Sequence, residues 1–216
     1  MKSALALAAL LGTVAATPGF AHADEPAASL SAPARNGKAG NVVVQLDVLP
    51  AGHVRIAKDG IGAGATESVD LSTAYGVGIQ LNYLARPHFS LGLAPRLVFN
   101  VKSDEDSAAA KQLDLRARIT LHTGSSLSPV LQLFAFAEPG YSISFIDQKV
   151  WPAGLDTPAG PVLALGGGAT YDVLPSIFVT GEVGYQLGFQ TVTARARDAD
   201  FGFDYLHVGL GAGARF

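Results

Sequence analysis

The stretch from Tyr205 to Phe216 admits few folds. Leu206, Val208, Leu210, Ala212, Ala214 and Phe216 form one alternating set, and His207, Gly209, Gly211, Gly213 and Arg215 form the other. A β-strand turns successive side chains to opposite faces, so this period of two makes a ribbon that is apolar on one side and polar or bare on the other. A soluble sandwich would leave the terminal ring unburied. A bilayer suits it, with the aromatic end at the interface, one face toward hydrocarbon and the other toward a lumen.

Composition narrows the choice. The 216 residues suit one domain, and 49% are hydrophobic. Beyond the N-terminus, however, no apolar run is long enough for a transmembrane helix. That leaves a filled soluble core or a barrel whose apolar face is spread over many strands. The absence of cysteine excludes a disulfide scaffold and thiolate chemistry. A net charge of -3 with no basic stripe gives no footprint for nucleic acid. No cofactor is expected.

The N-terminus has the order of an export signal. Lys2 is the only charge before Asp24, Ala4 to Leu11 is apolar, Pro18-Gly19 breaks the run, and Ala21-His22-Ala23 is a small-x-small cleavage pattern. Residues 1–23 are therefore expected to be a secretory signal peptide cut after Ala23. Residues 24–40, rich in Ala, Pro, Ser and Gly without periodicity, are expected to be a disordered leader.

Residues 41–216 divide into eight alternating segments. The first, Asn41 to Ala57, sets Val42, Val44, Leu46 and Val48 against Gln45 and Asp47, with a bulge expected at Pro50. The second spans Thr73 to Leu84. The third spans Phe89 to Val101, with Leu97, Phe99 and Val101 on the apolar row and Arg96 and Asn100 opposite. The fourth, Gln112 to His122, alternates Leu113, Leu115, Ala117, Ile119 and Leu121 with Asp114, Arg116, Arg118, Thr120 and His122. The fifth, Val130 to Phe145, sets Leu133, Tyr141 and Phe145 against Phe134, Phe136 and Glu138. Val162 to Val173, Ile177 to Gln190 and the terminal stretch complete the set.

Connections between these segments alternate. Residues 85–88, 124–129 and 174–176 are short, whereas 58–72, 102–111, 147–160 and 191–202 are longer and mostly more charged. Short periplasmic turns alternating with longer extracellular loops are the habit of outer-membrane barrels. From Asn41 to Phe216 the chain resembles the small eight-stranded outer-membrane β-barrel proteins of Gram-negative bacteria, departing at Ala214, where that family often carries a larger apolar residue. The resemblance implies an all-β, eight-stranded, antiparallel, up-and-down transmembrane β-barrel integral to the outer membrane. It also implies outer-membrane lipid and the barrel-assembly machinery as partners, with Phe216 as the assembly signal.

A periplasmic lipocalin-like ligand carrier would share the spacing but turn its apolar rows inward. Three features favour lipid outside. The apolar rows are nearly free of charge, aromatic residues including Tyr75, Tyr83, Tyr205 and Phe216 gather toward row ends, and the polar rows are rich in glycine. The lumen then receives Asp47, Arg96, Asp114, Arg116, Arg118, Glu138, Asp172, Glu182 and Arg215, with Arg55 near a rim. Charges in so narrow a tube must pair, so a near-balanced set is expected to form a structural salt-bridged plug.

Chemistry is not expected. His88-Phe89-Ser90 has the spacing of a histidine-activated serine, but it sits at a short turn with Ser90 toward the lumen. Asp104-Glu105-Asp106 and Asp198-Ala199-Asp200 lack the spacing of a calcium loop. His53, His122 and His207 lie on different strands and would bind metal only if the fold gathered them. The reading is a non-enzymatic barrel with a structural or surface-interaction role carried by its extracellular loops; the alternative is a narrow channel or transporter for small solutes.

Overall fold

The computed structural model describes residues 39–57, 67–86, 88–102, 110–123, 130–145, 157–194 and 197–216. The expected signal peptide, its Ala23 cleavage site and nearly all of the leader lie outside the described residues.

Eleven strands are present: β1 (Gly40–Ala57), β2 (Glu67–Leu71), β3 (Ala74–Arg86), β4 (Phe89–Leu93), β5 (Arg96–Val101), β6 (Ala110–His122), β7 (Leu131–Phe145), β8 (Ala159–Leu174), β9 (Ile177–Gly188), β10 (Gln190–Ala194) and β11 (Arg197–Arg215). They make eight staves, because three pairs are single staves with a break. β2 and β3 both run along β1, β4 and β5 both lie between β3 and β6, and β9 and β10 both pair with β11. The second of these breaks falls at Ala94-Pro95, where proline has no N–H for the ladder. Every neighbouring pair is antiparallel, and β11 returns to β1 from Asn41↔Arg215 to Ala57↔Asp200, closing the ring. Closure leaves no edge.

The pleat points the way the bilayer reading requires. Leu46, Leu115 and Leu210 are 64%, 53% and 70% exposed on the outside, while Asp114 and Glu138 are 0% exposed within. That inverts the soluble carrier, whose apolar rows would be packed together. The ladder between β1 and β11 shifts register between Val48 and Ala51, the bulge expected at Pro50.

Four expectations need correction. Residues 67–71 belong to the second stave, so the first long connection shortens to 58–66. Residues 190–194 and 197–202 continue staves seven and eight as a paired ladder, leaving only 195–196 between them. Val101 is buried inside, not on the lipid face. Asn100 adopts φ 64° and the register with β6 slips between Val98 and Val101, which reverses the alternation there. Tyr205 is likewise fully buried and shares the inward face of His207, so it is not part of an aromatic girdle.

The lumen is also less uniformly polar than expected. Toward the end bearing the long connections, Leu49, Leu71, Ala74, Val98, Val101, Ala110, Phe203 and Tyr205 form an apolar cluster inside the barrel.

Candidate functional site

Midway along the barrel, seven of the nine charged residues expected in the lumen meet in one chain of ion pairs. Arg96 Nε on β5 lies 2.9 Å from Asp47 Oδ2 on β1, and its Nη2 lies 3.9 Å from Glu182 Oε1 on β9. Glu182 Oε2 accepts from Arg118 Nη2 at 2.8 Å, and Arg118 Nη1 donates to Glu138 Oε1 on β7 at 2.5 Å. Glu138 Oε2 takes Arg116 Nη1 at 2.8 Å, and Arg116 Nη2 reaches Asp114 Oδ2 at 2.7 Å. Each of the seven is at most 5% exposed. Because β1, β5, β6, β7 and β9 all contribute, the chain crosses the lumen instead of lining one wall.

Alternation on β6 creates the centre of this plug. Asp114, Arg116 and Arg118 fall at successive inward positions, so neighbouring side chains on one strand can share partners across the tube. Neutral side chains extend the network. Gln45 Nε2 donates to Asp47 Oδ1 and Glu182 Oε1, each at 2.7 Å, and its oxygen accepts from Gln80 Nε2. Gln112 Nε2 donates to Asp114 Oδ1 at 2.8 Å. His207 Nε2 stands 3.6 Å from Glu182 Oε1.

Aromatic contacts hold the central guanidinium in place. Arg118 Cζ lies 4.2 Å from the centroid of Phe136 and 5.5 Å from that of Phe134, both within cation–π range. Sequence alone placed these rings on the inner row but not their role; two aromatics on an otherwise polar face were the available signal.

The inner glycines make room for the plug. A Cβ on Gly140 would stand 2.4 Å from the Leu115 carbonyl oxygen and 2.7 Å from Arg116 Cγ, and one on Gly184 would stand 2.5 Å from His207 Cε1. Substituting Gly140 with valine is therefore expected to cost about 1–3 kcal/mol by overpacking, read as a lower unfolding midpoint in lipid vesicles. An unchanged midpoint would mean that the backbones of β6 and β7 can part at this point.

The other two expected residues form a separate pair. Arg215 Nη2 donates to Asp172 Oδ1 at 2.5 Å near the short-turn end, with Arg215 Cζ 4.5 Å from the centroid of Phe178. Arg55 binds Asp204 through Nε at 2.6 Å and Nη2 at 3.0 Å toward the other end. Asp204 is not among the charges expected in the lumen from the sequence.

Where the described residues include them, the chemical motifs of the sequence meet other partners. Ser90 Oγ lies 2.9 Å from His122 Nε2, a residue on β6, so the sequence neighbour His88 is not its partner. His53 faces Asp204 and His207 faces Glu182, so the three histidines are not gathered. Asp104, Glu105 and Asp106 lie outside the described residues, as does the side chain of Asp198. The glycine runs at 166–168 and 209–213 sit inside β8 and β11.

A closed eight-stranded barrel with lipid-suited walls and a charged lumen is the architecture of an integral outer-membrane protein. The chain is similar in fold to the outer membrane protein OprG of Pseudomonas aeruginosa, at 17% identity over 84% of this chain and 98% of that one, with a TM-score of 0.57. Neisserial surface protein A matches at 16% identity over 81% and 97% of the two chains, with a TM-score of 0.49. Ail, the attachment invasion locus protein of Yersinia pestis, matches at 13% over 83% and 99%, with a TM-score of 0.44. No protein-family model and no curated protein sequence matches this chain.

Proposed function

We propose that this chain is a non-enzymatic outer-membrane barrel with a closed lumen and a structural or surface-interaction role. The observation that carries the reading is the plug. Seven buried charges are tied across the tube, and the glycines opposite them are filled by plug side chains, which removes the room a diffusing solute would need. In such barrels short turns face the periplasm and long connections the outside. Interaction therefore falls to the connections 58–66, 103–109 and 146–156 and the tip at 195–196. Biogenesis would engage the terminal strand and Phe216 through the barrel-assembly machinery, within outer-membrane lipid.

The enzyme reading is set aside because Ser90 faces the lumen at the short-turn end, away from the bilayer. A narrow path for small solutes is the second reading. Above the plug, the Gln186 carboxamide and the Tyr205 hydroxyl are buried with no protein hydrogen-bond partner, and such groups are normally satisfied by water. Planar bilayers separate the two readings. The purified barrel is expected to leave the membrane electrically silent, and steady single-channel steps would instead establish conduction through the plug.

A further inference from the structure

Gly78, on the inner face of β3, has room beside it where other inner glycines do not. A Cβ there would find Pro95 O at 3.4 Å and Arg96 Cβ at 3.9 Å, both ordinary contacts. One on Gly92 or Gly209 would stand 2.3 Å or 2.2 Å from its nearest neighbour. The room belongs to a cavity of about 10 Å³ where β4 gives way to β5. Asp47, Gln80, Arg96 and Glu138 bring polar side chains to it, and Gly78 and Pro95 also line it. Such a volume admits one water-sized centre. Arg96 is short of partners at this point. It is 5% exposed and carries five N–H donors. Nε lies 2.9 Å from Asp47 Oδ2, but Nη2 stands 3.9 Å from Glu182 Oε1, too far for a hydrogen bond, and Nη1 has no hydrogen-bond partner among the described residues. A buried guanidinium left so poorly satisfied is costly.

We infer that this cavity is a binding site for one water molecule, which accepts from the Arg96 guanidinium and donates to a neighbouring oxygen. Size leaves only species with a single heavy atom: water, a halide, a metal ion or ammonium. Charge then selects among them. Asp47 and Glu138 line the same space and repel a halide, while the guanidinium repels a cation. Water alone is neutral and can both accept and donate. Cavities that stay dry are lined by apolar side chains, unlike this one. A single ordered water opens no path for a solute, so the inference stands apart from the reading proposed above.

Urea unfolding in lipid vesicles compares Gly78→Ala with Gly181→Ala. Both new methyl groups have room, since a Cβ on Gly181 meets only Leu210 Cδ2, at 3.6 Å, on the outer wall. Alanine also loses less backbone entropy than glycine on folding, which favours both variants. Gly181→Ala is therefore expected to raise the unfolding midpoint. Gly78→Ala, whose methyl takes the place of the water, is expected to lower it. An equal rise in both would show a dry cavity and overturn the inference. NMR of the folded barrel in nanodiscs reads the molecule itself. The Arg96 guanidinium protons are expected to show a through-space cross-peak at the water frequency, of the sign that separates proximity from exchange, and to lose it in Gly78→Ala. No residue lining the cavity carries a hydroxyl that could mimic the signal. Absence of the cross-peak in the parent chain overturns the inference even where Gly78→Ala does not fold. So does its persistence in Gly78→Ala, or a shift of the Arg96 signals when chloride is replaced by gluconate or sodium by potassium.

Discussion

Replacing Arg118 with methionine is expected to destabilise the folded barrel by about 3–5 kcal/mol, the usual cost of stranding a buried charge. Arg118 stands between Glu138 at 2.5 Å and Glu182 at 2.8 Å, so its loss leaves two carboxylates facing each other in a tube that water enters poorly. It also uncovers the face of Phe136, adding a smaller loss of cation–π contact. Urea unfolding in lipid vesicles measures the effect. The triple variant Arg118→Met, Glu138→Gln, Glu182→Gln should recover much of it, because neutral amides need no counter-charge. Arg118→Lys should fall between, since a single ammonium cannot serve both carboxylates in the geometry a guanidinium fork provides. A loss below about 1 kcal/mol for Arg118→Met, in the range of a solvated surface pair, would show that the network is hydrated and contributes little.

The second large effect concerns the opposite face of the same strand. Leu115 lies between Asp114 and Arg116 but points outward, near the middle of β6, and is 53% exposed. Arginine there is expected to cost about 2–4 kcal/mol, as it does on the lipid face at the bilayer midplane. Leu115→Phe should be nearly neutral, since hydrocarbon accepts either side chain. The same unfolding assay reads both. If Leu115→Arg were tolerated while Arg116→Leu were too, the assignment of faces would fail.

Much of this was legible residue by residue. Alternation on β6 assigned Asp114, Arg116 and Arg118 to one face and Leu113, Leu115 and Ile119 to the other, and the structure keeps that division. Pairing within the lumen was expected from the cost of burying unpaired charge. Which acid met which base was not legible, since Arg118 and Glu182 are 64 residues apart and meet only through closure of the ring. Val101 shows the complementary limit. A single positive φ at Asn100 reverses the pleat, and no hydropathy pattern records a backbone angle. Tyr205 shows another limit: an aromatic ring suits a membrane interface, yet alternation sets this one beside His207, and the barrel buries it there.

Period-two patterning alone was enough to establish strands, their number as staves, and a two-faced wall, because those properties follow from the local geometry of an extended chain. Two things waited for the closed ring: the partners within the plug, and the joining of Ser90 with His122 instead of His88. Each depends on register between distant strands. Register is set by all the neighbours of a strand together, so no one segment contains it.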